Sequence, residues 1–215
     1  MITTSAVKNV AYETHALEYI QWYDKYPEVL ENELEAIKGM TSEELNNGLE
    51  IRTGLNRLSD AFGIKESIDP SFALIEESEL NENLGIKKLS KKIPYQDLQF
   101  DIVLMTTCIS FFFDLNTLFN EVYRILKSDG KLFISFIEKE SLIGQLLKDN
   151  QNEKDFYEFA THHSTSKIIA KIKESGFHDF EFFQTFFNVL DESNALETGK
   201  FNSSHGSFVV VKVKK

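Results

Sequence analysis

Between residues 48 and 136, short apolar runs alternate with segments in which apolar residues recur at helical spacing. The apolar runs are strand candidates, and they cover residues 48–51, 66–68, 86–89, 100–105 and 131–136. Such alternation favours right-handed crossovers between parallel strands, with helices on the faces of the sheet. The run at 100–105 is apolar at nearly every position, which is typical of a central strand covered on both faces.

The segments before and between these strands carry helix signals. Apolar and aromatic residues predict a helix over 14–23, and a second helix is expected to begin at Pro27 and to stop at Gly39. The clearest pattern runs from 114 to 126, where the apolar residues share one face. The sequence Ser128-Asp129-Gly130 is expected to close that helix.

The last third of the chain changes character. Residues 144–159 are polar and mixed, which indicates an inserted helix or lid. Ser164 or Ser166 is expected to cap the helix that follows. Two long β-runs, at 180–187 and 207–213, then predict an antiparallel hairpin at the edge of the sheet.

Length and composition favour one domain. A chain of 215 residues with 42% hydrophobic residues can bury a sizeable core, and we expect a single domain over residues 1–215. Within it, residues 1–45 are expected to form a helical cover and residues 46–215 the core that contains the sheet. A variable segment is expected near 143–164.

The formal net charge of −11 limits the partners and the location. Nucleic acids and anionic membranes recruit clustered Lys and Arg, so we expect neither as a partner. The amino terminus shows no signal-peptide pattern and no apolar run reaches the roughly 20 residues of a membrane span, so a cytoplasmic location is expected. One cysteine, Cys108, excludes an intramolecular disulfide and is interpreted as a small buried hydrophobe.

Five motifs occur in a fixed order. Residues 19–26 contain W-Y-D, residues 49–56 read L-E-I-R-T-G-L-N, and residues 68–71 read I-D-P-S. Residues 93–103 contain I-P-Y followed by Q-F-D-I-V, and residues 121–132 read E-V-Y-R-I-L-K-S-D-G-K-L. Over nearly the whole chain this series resembles the class I S-adenosylmethionine-dependent methyltransferases, specifically their small methyltransferase-11-like branch.

The resemblance implies a Rossmann-like, seven-stranded mixed sheet with helices on both faces and an N-terminal helical cover. Five strands would be of the parallel type, and a C-terminal antiparallel β-hairpin would complete the sheet. The implied activity is in-line transfer of a methyl group from S-adenosylmethionine to a small molecule. The residues it assigns to cofactor binding are Tyr19, Glu50, Arg52, Gly54, Asn56, Asp69, Pro70, Ser90, Ile93 and Thr106.

Individual roles follow from the same resemblance. Glu50 would hold the methionine end of the cofactor through its ammonium, and Asp69 would accept hydrogen bonds from the ribose hydroxyls. Ser90 and Ile93 would lie near the adenine. Thr106, at the end of the fourth strand, would face both the cofactor and the substrate.

The glycine motif departs from the family pattern. Gly54 is retained, but Arg52 and Asn56 replace two glycines, and Leu89 replaces an acidic residue that many relatives carry. An inward Arg52 would repel the cofactor's positive groups by roughly 4 kcal/mol for one pair at 4 Å and an effective dielectric of 20. One alternative is therefore a non-catalytic binding or scaffold protein, a pseudoenzyme that has lost its cofactor. Another is recruitment of an anionic nucleotide by Arg52 and Arg57.

Simpler interpretations stay open for single residues. Glu50 could be a strand-end acid paired with a nearby arginine, and Asp69 could be an ordinary turn residue. His163, or its neighbour His162, is a candidate general base, but adjacent histidines on an extended segment point to opposite sides and make a poor metal pair. No metal is expected. A small-molecule substrate is expected, with a protein partner or a homodimer as further candidates.

Overall fold

The helices and strands follow the predicted alternation. The structure is a computed structural model that describes residue 24 and residues 27–41, 45, 47–51, 57–69, 87–88, 92–112, 114–149, 161–186, 199–201 and 206–215. The described helices are α1 (Pro27–Lys38), α2 (Arg57–Phe62), α3 (Leu115–Ile125), α4 (Leu142–Asp149) and α5 (Thr165–Glu174). The strands are β1 (Gly48–Ile51), β2 (Glu66–Asp69), β3 (Lys87–Lys88), β4 (Phe100–Thr106), β5 (Leu126–Ile137), β6 (His178–Thr185), β7 (Lys200–Phe201) and β8 (Phe208–Lys214).

All eight strands of the described residues join one sheet in the order β3-β2-β1-β4-β5-β8-β6-β7. The first five strands along the chain pair in parallel. Strand β8 lies antiparallel between β5 and β6. The predicted mixed sheet with five parallel-type strands and a C-terminal antiparallel pair is therefore confirmed. The two-residue strand β7 adds an antiparallel partner to β6 at the edge.

Strand β5 begins earlier than the sequence pattern predicts. Helix α3 ends at Ile125 because Leu126 already has an extended backbone, with φ −73° and ψ 139°. Leu126 pairs with Phe100, and pairing then resumes at Lys131 opposite Ile102. Ser128-Asp129-Gly130 therefore lies in an irregular stretch of β5 rather than in the helix stop that we predicted. Gly130 is required there, since a Cβ would lie 2.9 Å from the carbonyl oxygen of Lys127.

Of the other helix predictions, two are confirmed and the rest lie partly or wholly outside the described residues. Helix α1 has the predicted start at Pro27, and Ser164 caps α5 by accepting a hydrogen bond from the amide of Lys167. Helix α4 lies within the variable segment, while residues 150–160 and the predicted helix over 14–23 lie outside the described residues. Within the described part of the chain, no helix is both long and apolar enough to cross a membrane.

Two hydrophobic clusters cover the two faces of the sheet. We call the face packed against α3 and α5 the α3 face, and the face packed against α1 and α2 the α1 face. Residues that alternate along the strands divide between the faces, so Val103 belongs to the α3 face and Leu104 to the α1 face. Helix α1 packs on β6 and β8.

A clamp of charged residues fastens the segment 93–97 to helix α3. The Arg124 guanidinium donates to both carboxylate oxygens of Glu121, at 2.9 and 2.8 Å, and to the carbonyl oxygens of Ile93 and Tyr95. It also donates to the carboxylate of Asp97 at 2.7 Å. Glu121 in turn accepts the amide hydrogen of Ile93 at 2.9 Å. Glu121 and Arg124, which open the motif at 121–132, therefore act as a structural clamp.

The contacts of the clamp favour the ionised forms of both Glu121 and Arg124. Partial burial opposes ionisation of Glu121, but hydrogen bonds from Arg124 and from the Ile93 amide lower the pKa of that carboxyl. The Glu121 carboxylate raises the pKa of Arg124 further above its ordinary value. A second contact ties the same segment to β2, because the Tyr95 hydroxyl donates to Glu66 at 2.7 Å.

Replacing Arg124 tests the clamp. We expect Arg124→Met to lower the free energy of unfolding by about 2–3 kcal/mol, because a half-buried Glu121 loses its charged partner. Urea denaturation of the whole chain measures this difference. The control is Lys38→Met, which removes a pair with Glu35 whose side chains are 49% and 60% exposed, and which should change stability by under about 0.5 kcal/mol. Equal effects of the two substitutions would contradict the clamp.

Candidate active site

Three strands end side by side at a topological switch point. Strand β1 has β2 on one side and β4 on the other. The chain runs from β1 to β2 and β3 on one side of it and then crosses to β4 on the other side. In open α/β sheets, ligands bind at such a point, outside the carboxyl ends of the strands. Glu50 is the penultimate residue of β1, Asp69 is the last residue of β2, and Thr106 is the last of β4.

The Glu50 carboxylate is buried and held by two hydroxyl groups. Glu50 is 1% exposed. The Ser59 hydroxyl donates to its Oε2 atom, and the Thr106 hydroxyl donates to Oε1 at 3.4 Å. Burying a carboxylate is costly unless hydrogen bonds compensate for the lost water. The two hydroxyls therefore fix a carboxylate at the switch point and orient it. The side chains of the arginines considered from the sequence, Arg52 and Arg57, lie outside the part of the chain that the structure describes.

Helix α2 brings Ser59 to this place. Leu58 is buried in the α1-face cluster with Ile64, so the helix presents this side to the sheet. Ser59 follows directly and is fully buried. The helix ends at Phe62, and Gly63 follows with a φ of +70°, which suits glycine. Sequence reasoning missed Ser59; its only signal was a small polar residue on the inward side of the helix after β1.

The chain leaves β4 through an unusual conformation. Thr107 has φ of +49°, which is uncommon for a residue other than glycine and is often found at functional sites. Its amide donates to the carbonyl oxygen of Ser135 on β5 at 3.0 Å. Cys108 follows, fully buried as predicted, and its thiol donates to the carbonyl oxygen of Ile51 at 3.2 Å. These contacts join the ends of β1, β4 and β5.

The segment 161–164 crosses the same edge. The amide of Thr161 donates to the carbonyl oxygen of Ser110 at 2.8 Å, and the amide of Lys139 donates to the carbonyl oxygen of His163 at 3.3 Å. Glu138, just past β5, accepts from the amide of Thr165 at 2.5 Å and also from its hydroxyl. The start of α5 is thus fastened to the ends of β4 and β5.

The two histidines of this segment are sequestered. Burial lowers the pKa of His162, which favours its neutral form. His163 is 6% exposed, and its Nδ1 atom lies 3.3 Å from the Nζ atom of Lys167. An ammonium group can only donate, so Nδ1 accepts and the ring proton lies on Nε2. In this tautomer neither ring nitrogen of His163 offers a lone pair for a substrate proton, which does not favour its predicted role as a base.

The structure brings together only part of the predicted cofactor site. Glu50 and Thr106 meet in one hydrogen-bonded cluster, and the backbone places Asp69 at the same edge. Ile93 is 2% exposed and anchored to Glu121 and Arg124 on α3, so the structure joins it to the clamp rather than to Glu50. The remaining predicted residues lie outside the described part of the chain, and they are Tyr19, Arg52, Gly54, Asn56, Pro70 and Ser90.

Comparisons with known proteins point to one family. The family model described as "Methyltransferase domain" matches residues 55–134. An uncharacterized protein of Methanocaldococcus jannaschii is 30% identical over 207 residues, which cover 95% of this chain and 98% of that protein. A crystal structure from Thermotoga maritima, described as an S-adenosylmethionine-dependent methyltransferase and possible histamine N-methyltransferase, is also 30% identical. It covers 95% of this chain and 98% of its own chain, with a TM-score of 0.88.

A more distant structure shares the fold. An N-methyltransferase of Haemonchus contortus, solved in complex with S-adenosylhomocysteine, is 18% identical. The match covers 71% of this chain and 38% of that chain, with a TM-score of 0.53. Both matches at 30% identity span nearly the whole chain, so the likeness extends beyond the switch point to the antiparallel end of the sheet.

Removing the Ser59 hydroxyl tests how the buried carboxylate is held. We expect Ser59→Ala to lower the free energy of unfolding by about 2 kcal/mol, because a buried charge loses a hydrogen bond. Urea denaturation at pH 7 provides the measurement. The matched control is Ser67→Ala on β2, since the Ser67 hydroxyl is equally buried but has no hydrogen-bond partner among the described residues. That control should be neutral or stabilising, and a Ser59→Ala variant as stable as the control would overturn the assignment.

Proposed function

Because the chain belongs to the S-adenosylmethionine-dependent methyltransferase family, we propose that it transfers a methyl group from S-adenosylmethionine to a small molecule. The observation that carries the proposal is the buried carboxylate of Glu50 at the switch point, oriented by Ser59 and Thr106. The same edge of the sheet ends in Asp69. Two acidic side chains at the ends of adjacent parallel strands are hydrogen-bond acceptors, which suit the ammonium and hydroxyl donors of this cofactor.

The chemistry of these residues fits the cofactor group by group. The Glu50 carboxylate has the opposite charge to the amino group of the methionine end, and a carboxylate accepts hydrogen bonds from such a group. Asp69 would accept the ribose hydroxyls, as the acid at the end of the second strand does in dinucleotide folds. Gly54 would let the backbone approach the ligand. We assign these three residues, with Thr106, to the cofactor site.

When bound, the cofactor would supply an electrophilic methyl carbon, with a neutral thioether as the leaving group. The protein's own part is to align the acceptor with that carbon and to exclude water. Thr106 and Thr107 stand where the two ligands would meet, at the end of β4. His163 can serve as a base only if Lys167 first moves away from Nδ1.

The alternative is a methyltransferase-fold protein that binds or scaffolds without catalysis. It rests on the replacement of two glycines by Arg52 and Asn56. The retained carboxylate favours the catalytic proposal. A binding protein with no cofactor would have no need for a buried charge at this point, because an apolar side chain there would cost less.

Cofactor binding by a Glu50 variant tests the proposal. We expect the whole chain to release or absorb heat on titration with S-adenosylhomocysteine, and Glu50→Gln to weaken the affinity about 10- to 100-fold, because a charged hydrogen bond becomes neutral. Isothermal titration calorimetry measures both. The control is Glu35→Gln, an exposed acid on α1, which should leave affinity unchanged.

A second variant separates the two functions. If Arg52 blocks the site, the unaltered chain gives no heat at millimolar ligand and Arg52→Gly restores binding, which would establish the non-catalytic alternative. Binding by the unaltered chain would remove that alternative. Equal affinity of the Glu50→Gln and Glu35→Gln variants would contradict the role of Glu50.

A further inference from the structure

Ser135 on β5 carries a buried hydroxyl group that has no hydrogen-bond partner among the described residues. The residue is 1% exposed, and its Oγ atom makes no hydrogen bond within that part of the chain. A buried hydroxyl that makes no hydrogen bond is unfavourable, so it calls for an explanation such as a bound ligand. Its position in the sheet indicates which ligand group it could bind.

The strand register places this hydroxyl beside the residues that surround Glu50. Ser135 pairs with Thr106 where β4 and β5 run in parallel. Leu104 and Phe133 lie two residues earlier on these strands, and both belong to the α1-face cluster. Because side chains alternate along a strand, Ser135 and Thr106 point to that same face. The two hydroxyl groups are therefore on neighbouring positions at the carboxyl edge.

The other neighbours of Ser135 within the sheet are apolar. Val210 on β8 is its register partner on the side away from β4, and it belongs to the α1-face cluster. Phe133 and Ile137 lie two residues before and after it on β5, and both pack in or against that cluster. In the sheet, polar side chains therefore continue from Ser135 toward Thr106 and not toward β8.

The groups assigned to the cofactor follow the order of the strands. Asp69 on β2 would take the ribose, and Glu50 on β1 would take the amino group of the methionine end. The next strands in the sheet are β4, with Thr106, and β5, with Ser135. The cofactor's carboxylate is bonded to the carbon that carries its amino group, so it must also lie near Glu50. A carboxylate only accepts hydrogen bonds and therefore requires donors.

Two nearby donors already have acceptors within the protein. The single hydroxyl proton of Thr106 is directed to the Glu50 carboxylate. The amide of Thr107 donates to the carbonyl oxygen of Ser135. The Ser135 hydroxyl, by contrast, keeps a proton that no described residue accepts. It is thus a donor that a ligand carboxylate could use.

The spacing of the strands allows one ligand to reach both residues. The Oε1 atom of Glu50 lies 3.4 Å from the Thr106 hydroxyl, and the neighbouring strand that carries Ser135 is about 4.8 Å farther on. An amino and a carboxyl group on one carbon, with a hydrogen bond at each end, span roughly 8 Å. That span matches the path from the Glu50 carboxylate across Thr106 to Ser135.

We propose that Ser135 donates a hydrogen bond to the carboxylate of the cofactor, while Glu50 binds the amino group on the same carbon. The two residues together then recognise the zwitterionic amino-acid end of the ligand. This inference rests on the proposed function, since it extends the cofactor site by one residue on β5. A neutral donor is sufficient there, because the ligand's own amino and carboxyl groups have opposite charges.

Ligands that differ only in the carboxylate test this role. The probes are S-adenosylhomocysteine and 5′-S-(3-aminopropyl)-5′-thioadenosine, which is the same molecule with hydrogen in place of the carboxylate. Isothermal titration calorimetry of the whole chain measures both affinities. We expect Ser135→Ala to weaken binding of S-adenosylhomocysteine about tenfold, because a hydrogen bond to a charged group is lost. The same substitution should leave the affinity for the aminopropyl compound unchanged.

The matched control is Thr185→Val. Thr185 also carries a buried hydroxyl without a partner in the described part of the chain, but it lies on β6, and β8 separates that strand from β5. This substitution should leave both affinities unchanged. Urea denaturation without ligand should show Ser135→Ala to be at least as stable as the unaltered chain, because its hydroxyl had no partner to lose. A weaker affinity would then not reflect partial unfolding.

The outcomes separate this inference from the proposed function. If the unaltered chain does not bind S-adenosylhomocysteine, the proposed function fails, and the role of Ser135 fails with it. If the chain binds this ligand, and Ser135→Ala binds it as tightly as Thr185→Val does, only the role of Ser135 is wrong. Equal losses for S-adenosylhomocysteine and the aminopropyl compound would also contradict that role, since the effect would not depend on the carboxylate.

Discussion

A carboxylate buried at the end of the first strand is the constraint on which the rest of this structure depends. Hydroxyl groups from two different elements hydrogen-bond to Glu50 there in place of water. Helix α2 must therefore dock so that Ser59 reaches β1, and β4 must end so that Thr106 does. Hydrogen bonding to the buried Glu50 carboxylate therefore constrains how β1, α2 and β4 lie relative to one another.

Both faces of the sheet contribute to the core, but only one carries the candidate site. The α3 face is packed with apolar side chains, and the clamp of Glu121 and Arg124 fastens the segment before β4 to α3. The α1 face has an apolar cluster of its own, and Glu50, Ser59 and Thr106 are buried beside it. The apolar side chains buried on both faces supply the favourable free energy that offsets the burial of these polar groups.

The sequence predicted the architecture better than the chemistry of the site. Alternating apolar runs locate β1, β2 and β4 within one residue, because period and burial are local signals. The start of β5 was placed too late, since the pairing of Leu126 with Phe100 is a tertiary contact that no local pattern records. Motif resemblance assigned Glu50, Thr106 and Ile93 to the cofactor; in the structure Glu50 and Thr106 share one hydrogen-bonded cluster, and Ile93 is anchored to α3. Ser59 was missed because a small polar residue in an apolar element becomes informative only when its neighbours across the sheet are known.

The most direct measurement of the central claim is a crystal structure of the whole chain with S-adenosylhomocysteine. The account predicts that a carboxylate oxygen of Glu50 lies within about 3.2 Å of the ligand's amino nitrogen while Ser59 and Thr106 keep their hydrogen bonds. A ligand amino group bound elsewhere, with the guanidinium of Arg52 beside Glu50 in its place, would contradict it.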